Sequence, residues 1–547
     1  MRASLLPTLP AVLVLSLAGC KGGDARTVKY WVEKTQAEHT EREKKADLDH
    51  LAQVAKTSKE PGAAAQVATL LKDQPGDVVE RAAQVLGELG DKSVVPQLVE
   101  AIDLSRGAGA DKATEQTNHA NRAIAEALGK LGDKGGTAGL VKLLRSKDNY
   151  TVINAINGLG EVRDQSAVKP LAELATDSSI ETFVNKKAIM ALGSIGDPGA
   201  LPAVHQMLYE ERKGVSFFPE SSFAMYEIGR ASTDLLLVDL KGGTPEFKEW
   251  VKAHGILHGA VLAKSAQILG DLNDPRAEQA LLGLLTYKDD EAQLQLATRI
   301  QAADALGRMR SKGAVKPLTD MLGEQEVAAR NAYLRALSFI GDKSVVPMLL
   351  AKAGGKDSIG YRESAFKSAA LLGSDSDLKG YDALVAGEDK RLAAECKQSD
   401  IGDADCAAQI KEVTERLKAY RGALATGCAS GNAACWTQKL TDANPFARER
   451  AALELGRAGK ADALAPLMAT VEKPLDAKTN DEVANQDEAR FASILAIHWL
   501  LDAGAKPADL AALAGRLEKQ ADEERKKTSS MRSAEDVKRL AIRLRRG

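Results

Sequence analysis

Along most of the chain, apolar positions recur at the three- to four-residue step of an amphipathic helix, in pairs of stripes separated by a short turn. Val78, Ala82, Val85, Leu86 and Leu89 fall at i, i+4, i+7, i+8 and i+11, on one helical face. Beyond Asp91, a Ser93 cap precedes Val95, Leu98, Val99 and Ile102, which form a second stripe. Together they predict a helical hairpin. The step LGELGD at Leu86 returns as LGKLGD at Leu128, LGEVRD at Leu159, LGSIGD at Leu192 and LGDLND at Leu269. Weaker copies begin at Ile228, Leu306, Leu337, Leu372, Leu455 and Leu500. The copies keep the spacing of a repeat array, except between Leu372 and Leu455, where the gap doubles. Pro96, Pro170, Pro202, Pro317, Pro347 and Pro466 fall in the first turn of the second helix, where the backbone amides have no intrahelical acceptor. A glycine inside a helix costs about 0.5 to 1 kcal/mol. Its return in most copies predicts sites where neighbouring hairpins approach too closely for a side chain.

A single hairpin cannot bury its own apolar face, so stability must be shared along a stack. The prediction is an all-α fold, an α-solenoid of about eleven antiparallel helix hairpins. Aromatic residues make up only 4% of the chain, which argues against a β architecture, and 547 residues are too many for one compact core. The repeat array spans 63–378, a cysteine-containing helical insert 379–440, and further repeats with a capping helix 441–547. The pattern resembles the short HEAT-like repeat named from phycobilisome lyases, over Ala63 to Leu372 and again from Pro445 to Leu513. That resemblance implies stacked antiparallel pairs with first helices on the convex side and a concave binding surface of second helices. It says almost nothing about function.

Four cysteines, Cys396, Cys406, Cys428 and Cys435, fall within the insert. Between Cys406 and Cys428, Ile410, Val413, Leu417, Tyr420 and Leu424 keep helical spacing, so the ends of that stretch stand roughly 30 Å apart, beyond the reach of a disulfide. A helix ending near Cys396 would meet the start of this one. The expected bridges are Cys396 to Cys406 and Cys428 to Cys435, stapling the insert.

The chain opens with a basic residue, an apolar run from Leu5 to Ala18, and the string LAGC ending at Cys20. Residues 1–19 read as a signal peptide whose apolar run is too short to span a bilayer. LAGC resembles the lipobox of bacterial lipoproteins, which implies lipidation of Cys20, with 20–62 supplying the anchor, a linker and an N-terminal helix. Several acyl chains would hold the protein on a membrane almost permanently. Lys21 follows the anchor where an aspartate would resemble an inner-membrane retention signal. The expected location is the bacterial cell envelope, at the outer membrane facing the periplasm, with surface display as the alternative. Tyr30 and Trp31 are expected to pack on the first repeats.

With 74 basic and 76 acidic residues interspersed, the chain has no basic footprint for a polyanion, which argues against nucleic acid. None of the seven histidines is followed by glutamate, so the di-iron hydroxylase pattern of some HEAT-like proteins is missing. His254 and His258 share a helical spacing that a metal could use, but Gly255 between them weakens the helix. No nucleophile elbow, phosphate loop, zinc-protease or calcium-loop motif is present. No catalytic residue, cofactor or metal is expected. The aromatic residues concentrate between Tyr209 and Trp250, and Phe217, Phe218, Phe223 and Trp250 are the candidate partner-binding anchors. The Phe217–Phe218 pair precedes Pro219 in what reads as a non-helical connection. Near the end, Val537, Leu540, Ala541 and Leu544 form an apolar face expected to cap the array, with a membrane-surface helix as the alternative. The function expected is a membrane-tethered, non-catalytic scaffold or assembly factor for envelope proteins. The alternative is an envelope enzyme or enzyme subunit of the HEAT-like lyase type.

Overall fold

The computed structural model describes residues 24–546 apart from 38–39, 59, 73–74, 107–108, 110, 400, 476–478 and 528–531. Cys20 and residues 1–19 lie outside the described residues. What is described is almost wholly helical. Among the described residues the only strands are Glu211–Arg212 and Val215–Ser216.

The repeat has one local design. The first helix ends in a left-handed residue such as Gly90 or Asn273. An aspartate then caps the turn with its side chain. Asp91 accepts from the Ser93 amide at 2.9 Å, and Asp133, Asp164, Asp274 and Asp342 repeat the contact two residues on. One 3-10 turn leads into the second helix, whose first turn holds the proline, as at Pro96, Pro202 and Pro347. The recurring glycine stands where the sequence places a close approach. A Cβ on Gly270 would lie 2.8 Å from Ala305 Cα, and one on Gly307 2.8 Å from Ala336 Cα.

The chain divides into two compact units, 1–191 and 192–547. In the first, the Val28–Gln36 and Glu41–Ser58 helices precede the repeats. Trp31 stacks on His50 at 4.6 Å and donates its indole N–H to the Ala25 carbonyl, so it packs on the neighbouring helix.

In the second unit the first helices form a continuous row: His258–Leu272, Ala292–Arg308, Val327–Ile340, Ile359–Leu372 and Asp403–Leu424. The last of these packs against both Ile359–Leu372 and Pro445–Ala458. The stretch read as an insert therefore occupies regular places in the stack. Its first long helix, Leu378–Gln398, completes one hairpin and the second begins the next. Cys396 is bridged to Cys406 where these helices meet, and Cys428 to Cys435 beyond them, the pairing the spacing predicts. Tyr381 donates to the Leu417 carbonyl, and the buried Arg362 guanidinium is held by Glu388 and Glu395.

From Pro445 the array doubles back. Trp499, on the Asn480–Asp502 helix, donates its indole N–H to the Arg308 carbonyl at 2.7 Å, and Arg457 reaches the Ser338 carbonyl. Arg539, on the terminal Arg532–Arg546 helix, pairs with Asp271 at 3.1 Å. Phe339 and Phe491 meet at 5.9 Å in the shared core. In this unit the first helices, and not the second, line the inside of the fold, contrary to the orientation the resemblance implies. The reason lies in the sequence: Asp271, Arg308, Arg335 and Phe339 sit on first helices and find their partners on the returning arm. The apolar face of the terminal helix, Val537, Leu540, Ala541 and Leu544, is buried here, so a membrane-surface role for it is excluded in this fold.

Candidate docking surface

The regular hairpin is interrupted between Tyr209 and His258. After the Leu201–Tyr209 helix the chain makes a two-residue antiparallel ladder whose turn, Lys213–Gly214, has both φ angles positive. Phe218–Ile228 follows, then Arg230–Leu240, and an additional helix, Pro245–Ala253, for which the repeat has no counterpart.

This geometry corrects two of the four predicted anchors. Phe217 is 0% exposed and Phe223 2% exposed. The ladder turns the chain inward at Phe217, which lies under the Arg212 guanidinium as the residue preceding the helix. The pair is therefore not in a non-helical connection, since the helix begins at Phe218 with Pro219 in its first turn. Phe223 faces the terminal helix, with Lys538 and Arg539 over its ring. Phe218 and Trp250 remain partly exposed.

The additional helix has no buried residue of its own. It rests on the molecule through Phe247, whose ring lies 4.3 Å from His205 and 5.6 Å from Tyr209. Beneath it, His205 Nε2 is 2.7 Å from Asp239 Oδ2, and the Tyr209 hydroxyl donates to the same oxygen at 3.4 Å and lies 3.4 Å from Ser265 Oγ. All four residues are buried. Burial and the neighbouring Asp239 carboxylate push the Tyr209 phenol well above its ordinary range. Burial also lowers the Lys264 ammonium, which donates to the Leu208 carbonyl and lies over the Tyr209 and Phe218 rings. A histidine held by a carboxylate is the layout of a general base. Here Phe247 covers the imidazole, and Ser265 neighbours the tyrosine and not the histidine, so the cluster anchors the helix above it. No sequence spacing signals it, because His205 and Asp239 come from two different helices.

Outward from His205 the rings continue. Phe247 stacks with Trp250 at 6.0 Å, and Trp250 with His254 at 4.4 Å. Val238, in the last turn of the Arg230–Leu240 helix, is 39% exposed, and Leu257, just before the His258–Leu272 helix, is 53% exposed. Glu246, Lys248, Glu249 and Lys252 supply an exposed rim of both signs. The result is an aromatic and aliphatic strip with a charged border, set on a rigid polar base. His254 and His258 do not share a helix: His254 follows one, His258 opens the next and faces Tyr287. Among the described residues no group of three His, Cys, Asp or Glu side chains has the arrangement of a metal cage.

The interior of the doubled-back array is a second polar region. Arg308 bonds Asp304 and Asp271, and Arg539 bonds Asp271 and Asp536. Burial raises the Asp271 carboxyl, against the pull of the Arg539 and Arg308 charges. A cavity of about 270 Å³ is lined by Asp304, Arg335 and Arg539. These charges are mutually compensated and hold the two rows together.

Antiparallel helix pairs stacked one on the next define an α-solenoid, the class of this protein, here doubled back on itself in the second unit. Its repeats are those of the HEAT group. The model described as HEAT repeats matches residues 137–215 and 295–370, and the one described as PBS lyase HEAT-like repeat matches 78–103. Over these stretches the chain carries HEAT repeats. A relative in Gallus gallus, deoxyhypusine hydroxylase, is 27% identical over 193 residues, 35% of this chain and 56% of that protein. The chain thus spans little more than half the length of that relative. Solved structures with similarity include the CpcE–CpcF complex of phycocyanin lyase from Nostoc sp. PCC7120, at 18% identity and a TM-score of 0.26, covering 51% of this chain and 93% of that one. Kap121p bound to Pho4p matches at 11% identity and a TM-score of 0.46, covering 95% of this chain and 61% of that one.

Proposed function

We propose that this HEAT-repeat protein is a non-catalytic scaffold or assembly factor of the bacterial cell envelope, lipid-anchored through Cys20, that docks a protein partner on the strip centred on Trp250. The observation that carries the reading is the Pro245–Ala253 helix. It adds nothing to the core, yet it rests through Phe247 on a buried His205–Asp239 pair and presents stacked rings, with exposed Val238 and Leu257 on the segments that precede and follow it in the chain. Partly exposed aromatics on a rigid base are the usual anchors of protein interfaces. Two disulfides support an oxidising compartment. LAGC ending at Cys20 supports a lipid anchor, and Lys21 after it supports the outer membrane.

The test is a photo-crosslinking residue placed at Trp250 in cells, compared with one at exposed Lys316 on another part of the unit. A distinct protein adduct at Trp250 alone is expected, with Trp250→Ala weakening the recovered complex by about 2 kcal/mol, or roughly 30-fold, at unchanged unfolding midpoint. Equal labelling at both positions would count against the strip. Cys20→Ala is expected to leave the protein uncleaved or shift it to a soluble fraction, and wild-type protein that is soluble and lipid-free by mass spectrometry would remove the anchor.

A further inference from the structure

The returning arm contains a cavity of about 510 Å³, within the range of small-molecule sites. It lies between the Pro445–Ala458 helix, the Leu464–Glu472 helix and the Asn480–Asp502 helix, closed at one end by the Ala433–Lys439 turn of helix. Leu440, Ala469, Leu475 and Ala489 give it an apolar wall. Thr441, Thr470 and Ser493 line it with hydroxyls. Neither the docking strip nor the ion network between the two rows involves it.

Two guanidiniums in its lining are incompletely answered. Arg490 is 3% exposed. Its Nε donates to Ser533 Oγ and its Nη1 to Glu524 Oε1, each at 2.8 Å, while Nη2 makes no hydrogen bond and the Asp487 carboxylate stands off at 3.6 Å. Arg448 donates to the carbonyls of Asp442 and Ala443 at 2.7 and 3.1 Å. It has no carboxylate hydrogen bond, and burial lowers its pKa against the opposing pull of the nearby Asp442 carboxylate. The one carboxylate in the lining, Asp442, is already paired with Lys439 at 3.0 Å, outside the lining. Lys473 adds an exposed ammonium at the rim.

We infer that this cavity binds a small amphiphilic oxyanion, a carboxylate or phosphate head on a short apolar body. The head would sit against Arg448 and Lys473, since the Thr441, Thr470 and Ser493 hydroxyls already donate to backbone carbonyls, and the body would lie on the Leu440–Ala469–Ala489 wall. Planar guanidinium groups match carboxylate and phosphate oxygens in geometry as well as in charge.

The experiment is calorimetric titration of the full chain with hexanoate, hexyl phosphate, hexanamide and inorganic phosphate, at one ionic strength. Saturable binding is expected for one or both of the alkyl anions, and the stronger of the two identifies the head. Arg448→Gln, which keeps donors for the two carbonyls, and Lys473→Gln, at an exposed position that cannot disturb the fold, are each expected to weaken it, the first by about tenfold or more, a loss of ~1.4 kcal/mol. Four results would overturn the inference: no binding by either alkyl anion, equal binding by hexanamide, equal binding by inorganic phosphate alone, or alkyl-anion binding unchanged in both variants.

Discussion

At the scale of single residues, the two ends of the aromatic cluster answer differently to substitution. Phe217 is enclosed, so Phe217→Ser is expected to cost about 3 to 5 kcal/mol, lowering the denaturation midpoint without a specific effect on partner binding. A midpoint equal to wild type would return Phe217 to the list of surface anchors. The glycine step gives a paired test. Gly307→Ala puts a Cβ 2.8 Å from the backbone of Ala336 and is expected to destabilise measurably, whereas Gly387→Ala meets nothing within 4 Å and is expected to gain up to about 1 kcal/mol from helix propensity. Urea melts of the two variants should move in opposite directions. The glycine contacts were legible because a costly residue in a repeated helical position needs a repeated reason. The orientation of Phe217 was not, since it depends on a tight turn at Lys213–Gly214 that reverses the chain just before it and leaves no mark on the hydrophobic period.

At the scale of elements, the cysteine pairing was readable from one rule, that a helix is stiff. The stretch from Cys406 to Cys428 could not bend back, so each cysteine had to find its partner beyond a helix end. What sequence could not show is that the stapled pair of helices keeps its place in the stack, because its apolar stripes lack the Leu-Gly step. The terminal helix carries a pH prediction. Arg543 donates to His498 Nδ1 at 3.0 Å, and Arg308 and Arg539 stand near, with Asp502, Asp271 and Asp536 as their carboxylate partners. Burial, then those positive charges, hold the imidazole well below its ordinary pKa of 6.5. The unfolded chain therefore takes up this proton first. The stabilisation is full above about pH 7 and falls as the pH drops below 6.5, by up to about 1.4 kcal/mol per unit. His498→Asn keeps an acceptor for Arg543 and removes the titration, and the surrounding carboxylates cancel in the difference. The unfolding free energy of wild type minus that of the variant should decline from pH 7 to pH 5. A flat difference would show that His498 titrates alike in both states.

At the scale of the molecule, the array of hairpins was legible and its path was not. Periodicity reports which face of a helix is apolar, and both inner and outer helices of a solenoid have one. The contacts that double the second unit back on itself join residues as far apart as Trp499 and Arg308, or Asn273 and Asp502, and no local pattern encodes a pairing across some 200 positions. The docking strip was legible only as a concentration of rings. Its base of His205, Asp239, Tyr209 and Ser265 assembles from separate helices and became visible only in three dimensions.

The doubling back also sets an order of events. A chain made from its N-terminus completes the row from His258 to Leu372 before the helices that cover it exist. For the time needed to make the last hundred residues, Asp271, Arg308, Arg335 and Phe339 face water or whatever helper proteins are at hand. The nascent chain is thus a different object from the finished one, with a long amphipathic flank open along its length. That flank closes only once the helices from Asn480 onward are available to cover it.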